Sequence, residues 1–198
     1  MKKDSLLLKK GDYMAQNFAL NLRMVAYASL FTALTIIGSY ISIPISSVPI
    51  VLANFFVMLA GLLLGKWWAS GSVGLYLLLG ALGFPVFAGG TGGMVHLVGP
   101  TGGYLFGYLA CAFVIGFITE KGQPSWVKDL IALIVGLSLI FALGVPWLKV
   151  SLKFSWSKAF AAGMLPFLIG AAIKIAAALV VVRPLRPILN RAIANQPK

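Results

Sequence analysis

Between Phe87 and Tyr104 lie seven glycines, two threonines and the single histidine of the chain, with no lysine, arginine or acid among them. Long apolar runs flank this stretch on both sides. A connection so rich in bare backbone can fold back on the protein and offer N–H and C=O groups to a small molecule. Gly89, Gly90, Thr91, Gly92, Gly93, His96, Gly99, Thr101 and Tyr104 are its candidate ligand contacts. His96 reads either as such a contact or as a polar loop residue.

Lys174 is the second chemical feature, because it sits inside an apolar segment and not between segments. An ammonium at that depth costs about 2.5–3.5 kcal/mol on membrane-insertion scales, which marks it as a functional candidate. It precedes Arg183 by nine residues, about 14 Å of helix, too far to snorkel comfortably to water. The four acids, Asp4, Asp12, Glu120 and Asp129, fall in the N-terminal tail or near one connection. The expectation is therefore that no carboxylate of the protein meets Lys174, which needs a ligand carboxylate, polar backbone or water. Asn54 is the other polar side chain expected at depth, bonding either a ligand or a neighbouring helix.

These residues exclude several functions. One cysteine, one histidine and no acid within the apolar segments make no triad, no metal cluster and no acid–base pair, so neither a catalytic residue nor a metal ligand is expected. No phosphate-cradling glycine motif precedes a Lys-Ser or Lys-Thr pair. Ion-driven carriers usually route the ion past acids or histidine within their spans. If the chain moves a solute uphill, partner subunits must supply the work. Cys111 lies in an apolar run and reads as a small packing residue.

Apolar residues make up 60% of the 198-residue chain, which implies one all-α integral membrane domain. Six hydrophobic segments can be drawn, near 24–43, 49–65, 69–83, 102–119, 127–148 and 157–182, with the glycine-rich connection between the third and fourth. The last is expected to stop at Arg183-Pro184 and Pro187. Residues 1–17 read as a disordered cytoplasmic tail, in part foreign to the native chain, with Met14 offering a second start. The membrane domain then covers 18–190 and a short tail 191–198.

The net charge of +12 is not a nucleic-acid signal, because the basic residues lie between or beyond the apolar runs. Twelve fall on the side of the two termini and three, Lys149, Lys153 and Lys158, on the other. The positive-inside rule then puts both termini in the cytoplasm, with the glycine stretch and the Ser46–Pro49 turn outside. Trp67, Trp68, Trp126, Trp147 and Trp156 fall at segment ends, as interfacial anchors do. In the first segment Ala28 and Thr32, and Ser29 and Ala33, are small pairs four apart, suited either to internal packing or to a docking partner.

Several motifs resemble the BioY family of substrate-binding (S) components of energy-coupling factor (ECF) transporters. They are Val48-Pro49-Ile50, Ala60 through Gly65, Gly83 through Gly90, Gly92-Gly93 and Gly99 through Leu105. The resemblance spans about residues 20–185. It implies a six-helix subunit that captures biotin at the outer face, without a resident cofactor. It also implies assembly with a transmembrane coupling protein and two cytoplasmic ATPases, with docking through Ala28, Ser29, Thr32 and Ala33. Two positions depart from the family pattern. Ala53 stands where a glutamine is common, followed by Asn54, and Ala171 stands where an aspartate precedes the lysine by three. An unpaired ureido N–H in a dry pocket costs about 1–3 kcal/mol. Either Asn54, Thr91 and loop backbone satisfy that ring, or the ligand has a less polar head, as lipoate does. A stand-alone facilitator remains the alternative from another class.

Overall fold

The computed structural model describes residues 2–45, 48–120 and 123–194, with side chains from Asn21 to Leu189 and at Arg191. Ser46, Ser47, Lys121 and residues 195–198 lie outside the described residues, as do the side chains of Asp4 and Asp12. Helix α1 runs over Lys2–Tyr40. A short antiparallel pair follows, β1 (Ser42–Ile43) with β2 (Ile50–Val51), in register Ser42 to Val51 and Ile43 to Ile50. Next come α2 (Ala53–Ala81), a 3-10 turn at Ala88–Gly90, α3 (Met94–Val98), α4 (Gly102–Glu120), α5 (Trp126–Leu152), α6 (Trp156–Gly163) and α7 (Leu168–Ala194). Five helical stretches among the described residues are long and apolar enough to cross a membrane: Asn21–Tyr40, Ala53–Ala81, Gly102–Glu120, Trp126–Leu152 and Phe167–Leu189.

Helix α2 joins the expected second and third segments without a loop. Its helical geometry breaks at Gly65, whose φ of +76° and ψ of 172° a residue with a side chain rarely adopts. Gly38 near the end of α1 packs against Ala53 and Phe56 at the start of α2. Ser39, one residue on, bonds Tyr76 near the far end of α2. Both ends of α2 thus return to the same end of α1.

Polar side chains fasten α1 to the second half of α2. Thr32 Oγ1 lies 2.9 Å from the Ser72 carbonyl and 3.2 Å from its hydroxyl. Ser39 Oγ meets Tyr76 Oη at 2.9 Å. Spare donors bond back one turn, from Thr35 to the Phe31 carbonyl and from Ser39 to that of Thr35. Small hydroxyl residues between membrane helices permit close approach and satisfy themselves locally. Glycines serve the same purpose elsewhere. A Cβ on Gly107 would strike Ile140 of α5, and one on Gly116 the backbone of Lys66. The core therefore centres on α2, α4 and α5, with Val57, Met58, Cys111, Ile115 and Leu133 fully enclosed.

Two boundaries differ from expectation. The final segment is not one helix, because α6 ends at Gly163 and the chain turns through Leu165–Phe167 before α7. Pro166 explains the break: it has no N–H, and its ring excludes the carbonyl four residues back. Conversely, Pro184 and Pro187 fall inside α7 and do not stop it. They lie where the apolar part of the helix is ending, so water or lipid headgroups can satisfy the carbonyls they release. The amino-terminal stretch also differs, being helical from Lys2 and not a disordered tail; leucine, lysine and alanine there are good helix formers.

Candidate functional site

The glycine-rich connection folds into a compact cap held by its own backbone. Phe87 N–H donates to the Thr91 carbonyl at 2.8 Å, and Gly90 N–H to that of Phe87 at 3.0 Å. Gly93 N–H reaches the Gly80 carbonyl at 2.7 Å, fixing the cap to the end of α2. Gly93 has φ +101° and caps α3, a conformation that disfavours any side chain. Trp147 Nε1 donates to the Gly99 carbonyl at 2.8 Å, so this tryptophan pins the cap as well as sitting at a helix end.

Beneath the cap lies a cavity of about 230 Å³, walled by Ser39, Val48, Pro49, Val51, Tyr76, Phe87, Ala88, Thr91, His96, Thr101, Tyr104, Leu105 and Tyr108. Aromatic rings shape it. Phe87 meets Tyr76 edge-on at 5.4 Å and His96 at 5.9 Å, and Gly80 leaves room for the Phe87 ring. A largely apolar, aromatic-lined chamber with a few hydroxyls is the usual form of a small-molecule site, here somewhat below the usual size range of about 300–1,000 Å³.

A smaller cavity of about 40 Å³ adjoins it across Val48, Pro49, Val51, Tyr104 and Tyr108, and contains Asn54, Ala171 and Lys174. Lys174 Nζ donates to the Val51 carbonyl at 2.5 Å and to Asn54 Oδ1 at 2.7 Å. The lysine thus links α7 to the start of α2, and backbone and amide oxygens satisfy it. Ala171, one helical turn before it, is buried and offers no acid. Tyr104 Oη donates to the Gly163 carbonyl at 2.8 Å, at the last residue of α6. Its ring stacks on Phe167 at 6.4 Å.

The predicted ligand contacts therefore divide. Thr91, His96, Thr101 and Tyr104 line the larger cavity, and Tyr104, Asn54 and Lys174 the smaller. Gly89, Gly90, Gly92, Gly93 and Gly99 line neither; they shape the cap while side chains form the wall. Ser39, Tyr76, Phe87 and Tyr108 were not anticipated. Hydroxyl-bearing residues within apolar runs were the available signal, and Ser39, Tyr76 and Tyr108 all carry it. Of the expected Ser46–Pro49 turn, Val48 and Pro49 line both cavities.

Two further sequence features gain detail. Ala28 and Thr32 are buried against α2, whereas Ser29 and Ala33 are exposed, so the small-residue face splits into an inner and an outer pair. The reason is geometric, since neighbouring residues on a helix point about 100° apart. Asp129, one of the acids near the connection before α5, is engaged by an arginine. It is buried in the first turn of α5 and pairs with Arg186 through both oxygens, at 2.8 and 2.9 Å. Arg186 also donates to the Leu62 carbonyl at 3.2 Å, so three helices meet there. No three of His, Cys, Asp and Glu come together among the described residues.

The BioY family model matches residues 12–191. The biotin transporter BioY of Thermotoga maritima is 46% identical over 146 residues, 74% of this chain and 85% of that protein. The probable biotin transporter BioY of Pyrococcus horikoshii is 40% identical over 162 residues, 82% of this chain and 95% of that protein. Among solved structures, the S-component for biotin from an ECF-type ABC transporter superposes with a TM-score of 0.79 at 34% identity, covering 84% of this chain and 92% of that one. A capped aromatic cavity on a multi-pass helical scaffold, and sequence agreement over most of its length, place the chain together: it belongs to the BioY family.

Proposed function

We propose that this protein is the biotin-binding S component of an ECF-type importer. The observation that carries this reading is the largely apolar cavity under the glycine cap, with an adjoining smaller cavity that holds Lys174 and Asn54. Such a chamber suits a ligand with an apolar middle and polar groups at its extremities. The names borne by relatives and by the structural neighbour support biotin as that ligand.

In this reading α2 forms two spans folded at Gly65, which makes six crossings in all. Lys2 and Lys3 near the N-terminus, with Arg183 and Arg191 near the other terminus, face the cytoplasm by charge. The cap then faces outward, and ligand arrives from that side. The membrane domain covers 18–190, flanked by the short segments 1–17 and 191–198. A coupling protein and two ATPase subunits supply the energy, and the outward pair Ser29 and Ala33 offers α1 as the docking face. Ligand capture requires the cap to open and close on glycine-bearing turns. Gly93→Val is therefore expected to weaken biotin binding while leaving membrane insertion and expression intact; unchanged affinity would remove the lid role.

The deciding experiment is an equilibrium titration of the purified, detergent-solubilised protein with biotin and lipoate in parallel. Tight binding of biotin supports the reading. Binding of lipoate alone would mean that Ala171, an apolar wall beside Lys174, has adapted the site to a less polar head group. Co-purification with a coupling protein separates both from a stand-alone facilitator, which needs no partner.

A further inference from the structure

At the end of the bundle opposite the glycine cap, a cleft of about 530 Å³ opens between the start of α5 and residues 179–187 of α7. Ser125, Trp126, Leu179, Arg183, Arg186 and Pro187 are among its walls. The two arginines differ in state. Arg186 is committed to Asp129 and to the Leu62 carbonyl. Arg183 is exposed and makes no hydrogen bond or ion pair with the described residues. Because Asp129 neutralises Arg186, the cleft carries about one uncompensated positive charge, on a guanidinium shaped to grip a phosphate with two N–H groups.

The surroundings argue for a lipid as the source of that phosphate. On the outer surface beside the cleft, Val127, Ile131, Val180 and Ile188 are 49%, 52%, 71% and 62% exposed. Side chains like these on a membrane-spanning helix face acyl chains. Trp126, 59% exposed at the rim, occupies the position of an interfacial anchor. A free phosphate would gain nothing from this apolar flank. The outward Ser29–Ala33 face is on α1, which packs on α2, whereas α5 and α7 form the cleft. A partner seated on α1 does not need it.

We infer that the Arg183 cleft is a binding site for the headgroup of an anionic phospholipid, its phosphate on the guanidinium and its chains along α5 and α7. Basic pockets between membrane helices commonly hold such headgroups.

The test uses the full chain in detergent, analysed by native mass spectrometry after addition of dioleoylphosphatidylglycerol or dioleoylphosphatidylcholine. The expected result is retention of the anionic lipid about fivefold above the zwitterionic one, the factor one basic group supplies near a membrane surface. Arg183→Gln should bring the two to parity. Lys158→Gln, at the other end of the bundle, should leave the preference in place. Because Arg183 is exposed and unbonded, an unchanged melting temperature for Arg183→Gln verifies that the fold is kept. Equal retention by the native chain, or a preference surviving Arg183→Gln, overturns the assignment. Displacement of phosphatidylglycerol by millimolar inorganic phosphate overturns the lipid source. Loss of co-purification with the ATPase module, with lipid retention unaltered, would make the cleft a protein contact instead.

Discussion

Lys174→Ala is expected to lower biotin affinity by roughly ten- to a hundredfold, the loss of a hydrogen bond to a charged group being about 1.5–3 kcal/mol. The ammonium is the one basic group in the two cavities besides His96. It donates to the Val51 carbonyl and to Asn54, which uses two of its three N–H groups. Biotin can accept the third or displace one of these partners. If the lysine only steadies the start of α2, Asn54→Ala should reproduce the whole effect and both variants should melt earlier without ligand. If it contacts ligand, Lys174→Ala should cost clearly more affinity than Asn54→Ala. Isothermal titration with a parallel melt of the ligand-free protein separates the two. Unaltered affinity in Lys174→Ala, with a lowered melting temperature, would assign the lysine to architecture alone.

Asp129→Ala is expected to produce the largest loss of stability of any single change considered. Removing one partner of a buried ion pair leaves the other charge uncompensated, typically at about 3–5 kcal/mol. The side chains here are 6% exposed for Asp129 and 17% for Arg186, so water compensates little. The arginine also bridges to the Leu62 carbonyl, so α5, α7 and α2 loosen together. The double variant Asp129→Ala with Arg186→Met removes both charges and should recover part of the loss, because no buried charge is then orphaned. Thermal melting in detergent checks both statements. A single variant that melts like the native protein would show that the pair is solvated and contributes little.

The membrane character, the places of the apolar segments and the glycine cap were legible in the sequence because each is a local property. Hydropathy over about twenty residues marks a span whatever it packs against, and a dense glycine run announces unusual backbone wherever it lies. The BioY motifs are contiguous, so they too could be read directly. Pro166 was equally visible, yet the sixth segment was expected to continue through it, while Pro184 and Pro187 were expected to end the helix. A proline's effect depends on what packs around it: α6 ends ahead of Pro166, where Tyr104 takes the Gly163 carbonyl, whereas α7 continues through Pro184 and Pro187.

What only the tertiary structure decided are the pairings across long stretches of chain. Lys174 meets Asn54 at a separation of 120 residues, and Asp129 meets Arg186 at 57. In sequence Lys174 had no visible partner and Asp129 was one acid near a connection. Composition offered Lys174 no carboxylate within the apolar segments, but it could not identify the oxygens that bond it. Likewise, two overlapping small-residue pairs in α1 look alike as text, and the rotation of the helix against Ser72 turned Ala28 and Thr32 inward and Ser29 and Ala33 outward. The sequence by itself determined that this is a membrane protein with a glycine-capped end and a lone deep lysine. The packing of α2 against α1, α4 and α7 decided which side chains enclose the cavity and which charges are satisfied, because burial and hydrogen-bond partners depend on helices that are distant along the chain.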